Sequence, residues 1–503
     1  MQSKCILALE GWSALALSVF TTLSAFTMLS AAPAPASAAP LPTSPASTRN
    51  RLVHWNRIAI DASGLDHTRP GAGDTWTYGQ QLGPGRASRA MAIVHIAIFE
   101  AVNAIAGSYD SYAGIPAARA GTLMDSAIAQ AAHDALVAVY PSQKDRLDAA
   151  LASDLAQIPM RGRGFGDGID LGRRAAAAVL ALRAGDGSEI PEPQLGTGWT
   201  TSDQPGHWRQ DPISGSMAAL GAHWGEVRPF VLTSADQFRV PPPPAMTSPE
   251  YAAAYDEALR LGAGNSSERT GEQTQIGIYW AYDGTPSLCA PPRLYNQILV
   301  TIADEMDTDT VSLARLLALA NTAMADAGIA IWESKYHWDF WRPVTGIREA
   351  DPGTGPTVAG DGNPDTAGDP AFVPMCAPAS NTTGPNFTPP FPSYPSGHAG
   401  FGGALFETLR LFYGTDEIPF TFVSDEFNGV TADIHGDRRP LLPRSFATLS
   451  QAEEENGQSR IYLGIHWSFD KVEGIAQGQR IADYVFGHAF TLHTKKPRPT
   501  PGS

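Results

Sequence analysis

Apolar residues recur at helical spacing along much of the chain. The clearest run starts at Thr310, and its apolar positions are Leu313, Leu316, Leu317, Ala320, Met324 and Ala327. Because these positions fall three or four residues apart, they predict one apolar face of an α-helix. Similar patterns predict helices over residues 87–107, 125–140, 142–158, 168–187, 396–413 and 466–490, and another helix from Pro249.

Proline and glycine interrupt this helical pattern in two long stretches. Residues 190–245 are rich in proline, and residues 351–370 combine glycine, proline and aspartate. Both compositions favour irregular loops, and the alternation typical of strands is weak throughout. We therefore predict an all-α fold made of helical bundles. Residues 39–245 would form an N-terminal helical region with a Pro-rich linker, and residues 246–503 a C-terminal helical bundle.

The N-terminus has the features of an export signal. Lys4 supplies an early positive charge, a mostly apolar stretch runs from Trp12 to Leu29, and Ala36-Ser37-Ala38 resembles a signal-peptidase site. Glu10 and the length of the stretch leave an uncleaved membrane anchor as the alternative. We predict a signal peptide over residues 1–38 and a periplasmic or secreted protein.

Composition indicates a globular, acidic protein. Hydrophobic residues make up 43% and charged residues 17% of the chain, and the formal net charge is -16. A polyanion would be repelled, which argues against a nucleic-acid partner but not against a local cluster of cations. After signal removal, Cys289 and Cys376 remain. An oxidising compartment permits a disulfide between them, and the sequence leaves their separation open.

Three segments concentrate residues that bind anions. In the first, "WESKYHWDFWRP", Lys335 and Arg342 are seven positions apart, so they share one face of a helix that reaches both. Pro343 disfavours helix at Arg342 and places the helix end close by. A solvent-exposed basic face is the alternative for two cations alone. Trp332 and the other aromatic neighbours favour a lined pocket instead.

The second segment is "PPFPSYPSGH", residues 389–398. Ser396 is a natural N-cap, so Gly397 and His398 would open a helix with free backbone N–H groups. Such a helix start attracts anions through its donors and its dipole. The imidazole of His398 titrates near neutral pH. An ordinary capped helix is the alternative for this segment alone.

The third segment is "SRIYLGIHWSFD", residues 459–470. Arg460 supplies a cation, and His466 and Asp470 have i, i+4 spacing on one predicted helix face. The carboxylate would orient the imidazole, and a structural core histidine is the alternative. Together the three segments supply cations, a hydroxyl, a helix N-terminus and two histidines. This set suits a tetrahedral oxyanion such as phosphate or vanadate.

The three segments match one known signature, K-x6-R-P, P-S-G-H and S-R-x5-H-x3-D, at every position. The chain resembles the vanadium-dependent haloperoxidases, which share this anion site with acid phosphatases of the type 2 phosphatidic acid phosphatase superfamily. Its length and the flanks of the first two motifs resemble the chloroperoxidase-like branch. The resemblance implies two four-helix bundles, with the anion site in the C-terminal one.

The resemblance also implies the residues of a vanadate site. His466 is expected to be the axial ligand of vanadium, and His398 the acid–base at the apical oxygen. The equatorial oxygens are expected to be held by Lys335, Arg342, Ser396, Gly397 and Arg460. Lys335 is also expected to polarise bound hydrogen peroxide, which makes it the third catalytic residue beside the two histidines.

Four further residues are expected to support the site. Asp283 would support the second arginine, and Asp470 would orient the axial histidine. Trp332 and Phe391 would line the halide side. Phe391 occupies a position where chloroperoxidases carry Phe and algal bromoperoxidases carry His, which alone does not decide between chloride, bromide and iodide.

The implied activity is oxidation of halide by hydrogen peroxide to hypohalous acid, with vanadate as the cofactor. A small organic acceptor and an oligomeric state are both compatible with it. A second hypothesis is a periplasmic acid phosphatase, in which His466 would form a phosphohistidine and His398 would protonate the leaving group. A third is a non-catalytic oxyanion-binding protein, against which the presence of both histidines argues.

Overall fold

Helices dominate the chain, as the apolar spacing predicts. The computed structural model describes residues 47–159 and 162–493. Within these ranges it contains thirteen α-helices and one two-stranded sheet, which confirms the all-α prediction. The predicted signal peptide, residues 1–38, lies outside the described residues.

The first part of the described chain holds five helices. They are α1 (Thr48–Asp66), α2 (Gly83–Ala106), α3 (Met124–Val139), α4 (Lys144–Gln157) and α5 (Arg163–Leu182). Helices α2, α3 and α5 pack against one another. The sequence pattern did not predict α1, because its buried face includes Arg51, His54 and Asn56 among the apolar residues. Polar residues that are buried by long-range contacts interrupt the spacing that identifies a helix.

Eight helices follow in the second part. They are α6 (Pro249–Gly262), α7 (Gly271–Tyr279), α8 (Pro291–Glu305), α9 (Thr310–Trp338), α10 (Pro343–Arg348), α11 (Gly397–Tyr413), α12 (Leu449–Tyr462) and α13 (Ser468–His488). Helix α9 is central, because it packs against α2 from the first part and against α11 and α13 from the second. Helices α2 and α9 are long and apolar enough to cross a membrane, but both are buried as core helices.

A β-hairpin is the one sheet among the described residues, and the sequence did not predict it. Strands β1 (Phe420–Asn428) and β2 (Leu441–Phe446) pair antiparallel. From Phe420 to Ser424 the residues of β1 alternate between buried and exposed. Tyr279 Oη donates to the carbonyl of Phe422 over 2.7 Å, which ties the hairpin to α7. An alternation over five residues is too short to predict a strand, and contacts with α7 help to stabilise the hairpin.

The two cysteines of the described chain are free, so the permitted disulfide does not form. Cys289 Sγ lies 2.8 Å from Ser63 Oγ, next to α1. The backbone N–H of Cys376 donates to the carbonyl of Leu463 at the end of α12. Both cysteines are buried, and they lie against different parts of the fold.

Two predicted helix positions near the motifs are wrong. Helix α9 ends at Trp338, and Arg342 is the N-cap of α10, so Lys335 and Arg342 do not share one helix. A left-handed Asp339 caps the end of α9, and Pro343 keeps Arg342 extended, since the residue before proline avoids helical geometry. Helix α13 starts at Ser468, so His466 precedes it and does not share a helix face with Asp470.

Candidate active site

Two buried guanidinium groups carry N–H donors that have no protein partner within the described residues. These donors are Nη2 of Arg342 and both Nε and Nη1 of Arg460. Both side chains are almost fully removed from solvent. A buried donor without a partner loses its hydration and gains nothing in return, so native proteins rarely leave one. The arrangement therefore fits an oxyanion that accepts several hydrogen bonds.

Arg342 contacts the other two motifs directly. Its Nε donates to the carbonyl of Phe391 over 2.9 Å, and its Nη1 donates to the carbonyl of Ile465 over 2.7 Å. The same Nη1 lies 3.0 Å from Nε2 of His466. Burial, followed by the nearby charge of Arg460, lowers the pKa of Arg342 to about 9, although Asp470 opposes the shift. A bound anion would relieve this cost.

Arg460 lies in the last turn of α12 and is fixed by one carboxylate. Its Nη2 donates to both oxygens of Asp283, over 2.7 and 2.9 Å. Asp283 is the aspartate expected to support the second arginine, and the contact is present. Burial raises the pKa of Asp283, and Arg460 opposes that shift. Because Nη2 is occupied, Nε and Nη1 are the donors left for a ligand.

His466 is oriented through one ring nitrogen. Its Nδ1 lies 2.7 Å from Oδ2 of Asp470, so an N–H donated to this carboxylate leaves the lone pair on Nε2. The same oxygen accepts the backbone N–H of Trp467 over 3.1 Å and the hydroxyl of Ser393. Burial and then the charge of Arg342 hold the pKa of His466 well below its usual value. A neutral imidazole with an unprotonated Nε2 is the form that binds a metal, and Arg342 Nη1 now lies within hydrogen-bond distance of that lone pair.

His398 is oriented in the opposite sense to His466. It lies in the first turn of α11, and its Nε2 is 2.5 Å from the carbonyl oxygen of Ala281. An N–H donated there leaves the lone pair on Nδ1. Burial, followed by the charge of Arg460, lowers the pKa of His398 well below 6.5. The imidazole is therefore neutral and able to accept a proton at Nδ1.

The start of α11 agrees with its prediction. Ser396 is the N-cap, and its Oγ accepts the backbone N–H of Ala399 over 3.4 Å. Its own N–H donates to the carbonyl of Asp470 over 2.9 Å, which joins the second and third motifs. The N–H groups of Gly397 and His398 lie in the first turn, where a helix offers no acceptor. These N–H groups favour the same ligand as the unpaired arginine donors, which is an oxyanion.

Lys335 contacts the proline-rich segment, and its expected contacts with an equatorial oxygen and with peroxide stay predictions. Its Nζ donates to the backbone carbonyls of Pro392, Ser393 and Pro395, over 2.9, 2.8 and 2.5 Å. An ammonium has three donors, and all three are used here. Burial and then Arg342 lower the pKa of Lys335 well below its usual value. Lys335 thus holds the proline-rich segment, and contact with an oxyanion would require it to exchange one carbonyl.

The two aromatic residues expected at the halide side pack together. The rings of Trp332 and Phe391 meet edge to face, with centroids 4.9 Å apart. Lys335 Nζ lies 5.1 Å from the Phe391 centroid, and Arg342 Cζ lies 5.0 Å from it. An apolar surface thus lies between two cations, which suits a weakly hydrated anion.

Sequence reasoning missed three residues that hold the histidines. The hydroxyl of Ser393 contacts the carboxylate of Asp470. Tyr295 Oη and Asn456 Nδ2 both donate to the carbonyl of His398, over 2.8 and 2.9 Å. Ser393 lies inside the proline-rich segment, where a hydroxyl could have drawn attention. Tyr295 and Asn456 lie outside every motif, so the sequence carried no signal for them.

Comparisons with known proteins show the family of the chain. Residues 315–495 match the family model described as the VCPO second helical-bundle domain. The vanadium chloroperoxidase of Curvularia inaequalis is 30% identical to the chain, over 84% of this chain and 79% of that protein. The chain belongs to the vanadium-dependent haloperoxidases. The family predicted from the three motifs is confirmed.

Solved structures of bacterial haloperoxidases share the fold. A bacterial vanadium-dependent iodoperoxidase has a TM-score of 0.68 and 25% identity, over 90% of this chain and all of that one. A holo-type bacterial vanadium-dependent chloroperoxidase has a TM-score of 0.58 and 18% identity, over 84% of this chain and 96% of that one. The second likeness concerns the fold alone. The predicted boundary between residues 245 and 246 stays a prediction.

Proposed function

We propose that this haloperoxidase oxidises halide ions with hydrogen peroxide to hypohalous acid, using vanadate bound between the three motifs. The observation that carries the proposal is the set of unpaired donors on Arg342 and Arg460. Vanadate is a tetrahedral oxyanion, so its oxygens would satisfy these donors while the guanidinium charges balance its own. The positive charges and free donors of Arg342 and Arg460 thus match the negative charge and the oxygen atoms of vanadate.

The residues that would hold vanadate follow from their free atoms. His466 offers the lone pair of Nε2, which now faces Arg342 Nη1. Oxygen atoms would be held by the free donors of both arginines, the backbone N–H of Gly397 and the hydroxyl of Ser396. Bound vanadate would act as a Lewis acid that activates hydrogen peroxide without changing its oxidation state.

Proton transfer is proposed for His398. Hydrogen peroxide must lose a proton when it binds, and the water that leaves must gain one. His398 would accept the proton at Nδ1 and return it there, while its Nε2–H stays bonded to the carbonyl of Ala281. The buried cations favour the neutral ring before the first transfer and after the second, so the protonated ring readily returns its proton.

Trp332 and Phe391 are proposed to form the halide side. Their apolar rings exclude water, and the charges of Lys335 and Arg342 attract an anion to Phe391. Desolvation is easier for a large halide than for a small one, so we expect iodide and bromide to be oxidised more readily than chloride. An organic acceptor would then react with the released hypohalous acid.

The test is a halide series with the vanadate-loaded protein. Vanadate-free protein is loaded with vanadate, and oxidation of iodide, bromide and chloride by hydrogen peroxide is measured beside hydrolysis of a phosphate ester. We expect halide oxidation that depends on vanadate. His466→Ala should abolish vanadate binding in equilibrium dialysis, whereas the exposed His435→Ala should retain it. Phosphate-ester hydrolysis inhibited by vanadate, without any halide oxidation, would support the acid phosphatase hypothesis instead.

We also propose that the protein is exported to the periplasm or secreted. The support is the apolar stretch from Trp12 to Leu29 and the following Ala36-Ser37-Ala38. Release of hypohalous acid outside the cytoplasm would spare the cell's own thiols. N-terminal sequencing of the mature protein from culture fractions tests this, and an intact Met1 in the cytoplasmic fraction would contradict it.

A further inference from the structure

One short turn in the Pro-rich centre fixes the indole ring of Trp332. The carbonyl of Leu220 accepts Trp332 Nε1 over 3.1 Å and Tyr336 Oη over 3.0 Å. The backbone N–H of Leu220 donates to the carbonyl of Pro390 over 3.0 Å. Leu220 therefore joins α9, which carries the tryptophan, to the segment that carries Phe391.

Gly221 lies directly against the same ring. Its φ is +78°, and a Cβ built on it would fall closer than 3.0 Å to both Cδ1 and Nε1 of Trp332. Such a separation does not occur between real atoms, so the contact needs glycine for space as well as for its backbone angle. At the far edge, a Cβ on Gly397 would lie 3.2 Å from Cη2 of the same indole. The ring thus fits between two glycines.

A charged pair anchors this turn to α2. The N–H of Gly221 donates to Oε2 of Glu192 over 2.5 Å, and the other carboxylate oxygen pairs with Arg86. Arg86 also donates to the carbonyl of Ile190 over 2.6 Å. Glu192 and Arg86 are both largely shielded from solvent, so their attraction is screened less than that of an exposed pair.

We propose that the Leu220–Gly221 turn is a positioning element that sets the halide preference of the enzyme. The turn does not touch the halide. It acts through Trp332, whose position against Phe391 determines the shape of the surface that the two contacting rings present on the halide side. The inference rests on the proposed function, because it takes these two rings as the halide side.

The direction of the effect follows from the two glycines. A methyl group at position 221 forces the near edge of the indole to retreat. Beyond the far edge, a Cβ on Gly397 would lie 3.2 Å from Cη2, which leaves little room there. We therefore expect the indole to be displaced against Phe391, its edge-to-face neighbour. The space beside Phe391 then narrows, and the larger halide loses more contact than the smaller one.

The first experiment compares Gly221→Ala with Gly215→Ala. Gly215 has a φ of +62° in the same loop, and a Cβ there would meet nothing within 4 Å. Gly215→Ala therefore reproduces the backbone strain of Gly221→Ala without its steric clash. In vanadate-loaded Gly221→Ala, the iodide-to-bromide ratio of kcat/KM should fall roughly 10-fold, the size of a steric change of one methyl group. Gly215→Ala should keep the wild-type ratio.

A double-mutant cycle tests the route through the tryptophan. Trp332→Ala removes the whole indole ring that meets the new methyl group, so adding Gly221→Ala to it should change the ratio less than about twofold. If the effect of Gly221→Ala persists in that background, or equals that of Gly215→Ala, the inference is overturned. Wild-type protein that oxidises no halide would contradict the proposed function instead.

Glu192→Ala keeps the test available if Gly221→Ala does not fold. This variant removes the acceptor of the Gly221 N–H and adds no atom beside Trp332. It should change the iodide-to-bromide ratio by about threefold, the effect of losing one hydrogen bond to a charged group that acts indirectly. A ratio identical to that of wild-type protein would overturn the inference as well.

Discussion

Arg293 and Arg342 are both shielded from solvent, yet their surroundings are opposite. Arg293 joins α8 to two carboxylates: its Nε donates to Asp425 over 2.8 Å and its Nη1 to Asp61 over 2.9 Å. Arg342 contacts carbonyls and an imidazole, and its Nη2 has no partner within the described residues. Two carboxylates thus neutralise the charge of Arg293, whereas the guanidinium of Arg342 contacts no carboxylate among the described residues.

The pKa values of the two side chains express this difference. Burial would lower the pKa of Arg293, but Asp425 and Asp61 raise it above its usual value. Burial and Arg460 lower the pKa of Arg342 to about 9. A compensated cation stabilises the folded chain, whereas an uncompensated one costs stability that a ligand restores. The partners of a buried cation therefore distinguish a structural arginine from a ligand-binding one.

The largest expected effect on stability is that of Arg293→Met. Methionine retains the apolar volume but leaves Asp61 and Asp425 without their shared cation. Breaking a buried pair in this way costs about 3–5 kcal/mol, and we expect the lower end because both carboxylates are about a fifth exposed. Urea unfolding of the vanadate-free protein measures the loss. The exposed Arg57, 3.8 Å from Asp61, is the matched control, and Arg57→Met should cost less than about 1 kcal/mol.

Arg342→Met should show the reverse behaviour. Loss of its donors removes charge-assisted hydrogen bonds to vanadate, each worth about 1.5–3 kcal/mol, so vanadate affinity should fall about 100-fold. The free energy of unfolding without vanadate should stay within about 1 kcal/mol of wild type, because an uncompensated cation is lost. Equilibrium dialysis and urea unfolding give the two values. Arg348→Met, at the end of the same short helix, should keep the vanadate affinity.

The comparison fails if the two arginines behave alike. An Arg342→Met protein as unstable as Arg293→Met, with unchanged vanadate affinity, would make Arg342 a structural residue. Vanadate affinity lost in Arg293→Met, in protein shown to be folded by circular dichroism, would extend the anion site to α8. Either result would show that unpaired donors on a buried arginine do not identify it as a residue that binds vanadate.

The sequence could predict only one member of this pair. Arg342 is recognisable because Lys335, Pro343 and the aromatic residues around it form a motif within a dozen positions. Arg293 is paired with Asp425, which is 132 residues away, so its role depends on contacts that spacing does not encode. Local signals also predicted the N-cap at Ser396, since a cap involves neighbours in the chain.

Other features of the site depend on long-range packing in the same way. Lys335 was expected at the anion, but three carbonyls of the proline-rich segment surround its Nζ. His466 was expected on a helix, but it precedes α13 and reaches Asp470 across the helix start. The residue types of the site and the pairs Arg460–Asp283 and His466–Asp470 were predicted, and the backbone geometry and the other partners were not.

His95 supplies a third environment, in which a buried polar group outside the three motifs has no hydrogen-bond partner among the described residues. It lies on α2, and neither ring nitrogen has a hydrogen-bond partner within the described residues. Burial lowers its pKa from 6.5 to about 3. Below pH 6.5 the unfolded chain therefore binds a proton that the folded chain does not. The free energy of unfolding therefore decreases as the pH is lowered through this range, by about 1.4 kcal/mol per pH unit for one group.

His95→Leu should remove this contribution. Near pH 7.5 the variant should be as stable as wild type or slightly more so, because an unpaired polar group is replaced by an apolar one. At pH 5 its advantage should have grown by about 2 kcal/mol. Urea unfolding of vanadate-free protein at both pH values measures it, and the site histidines cancel because both proteins contain them. The exposed His435→Leu should show no such growth, and an advantage of His95→Leu that does not change with pH would mean that α2 admits a partner for the ring.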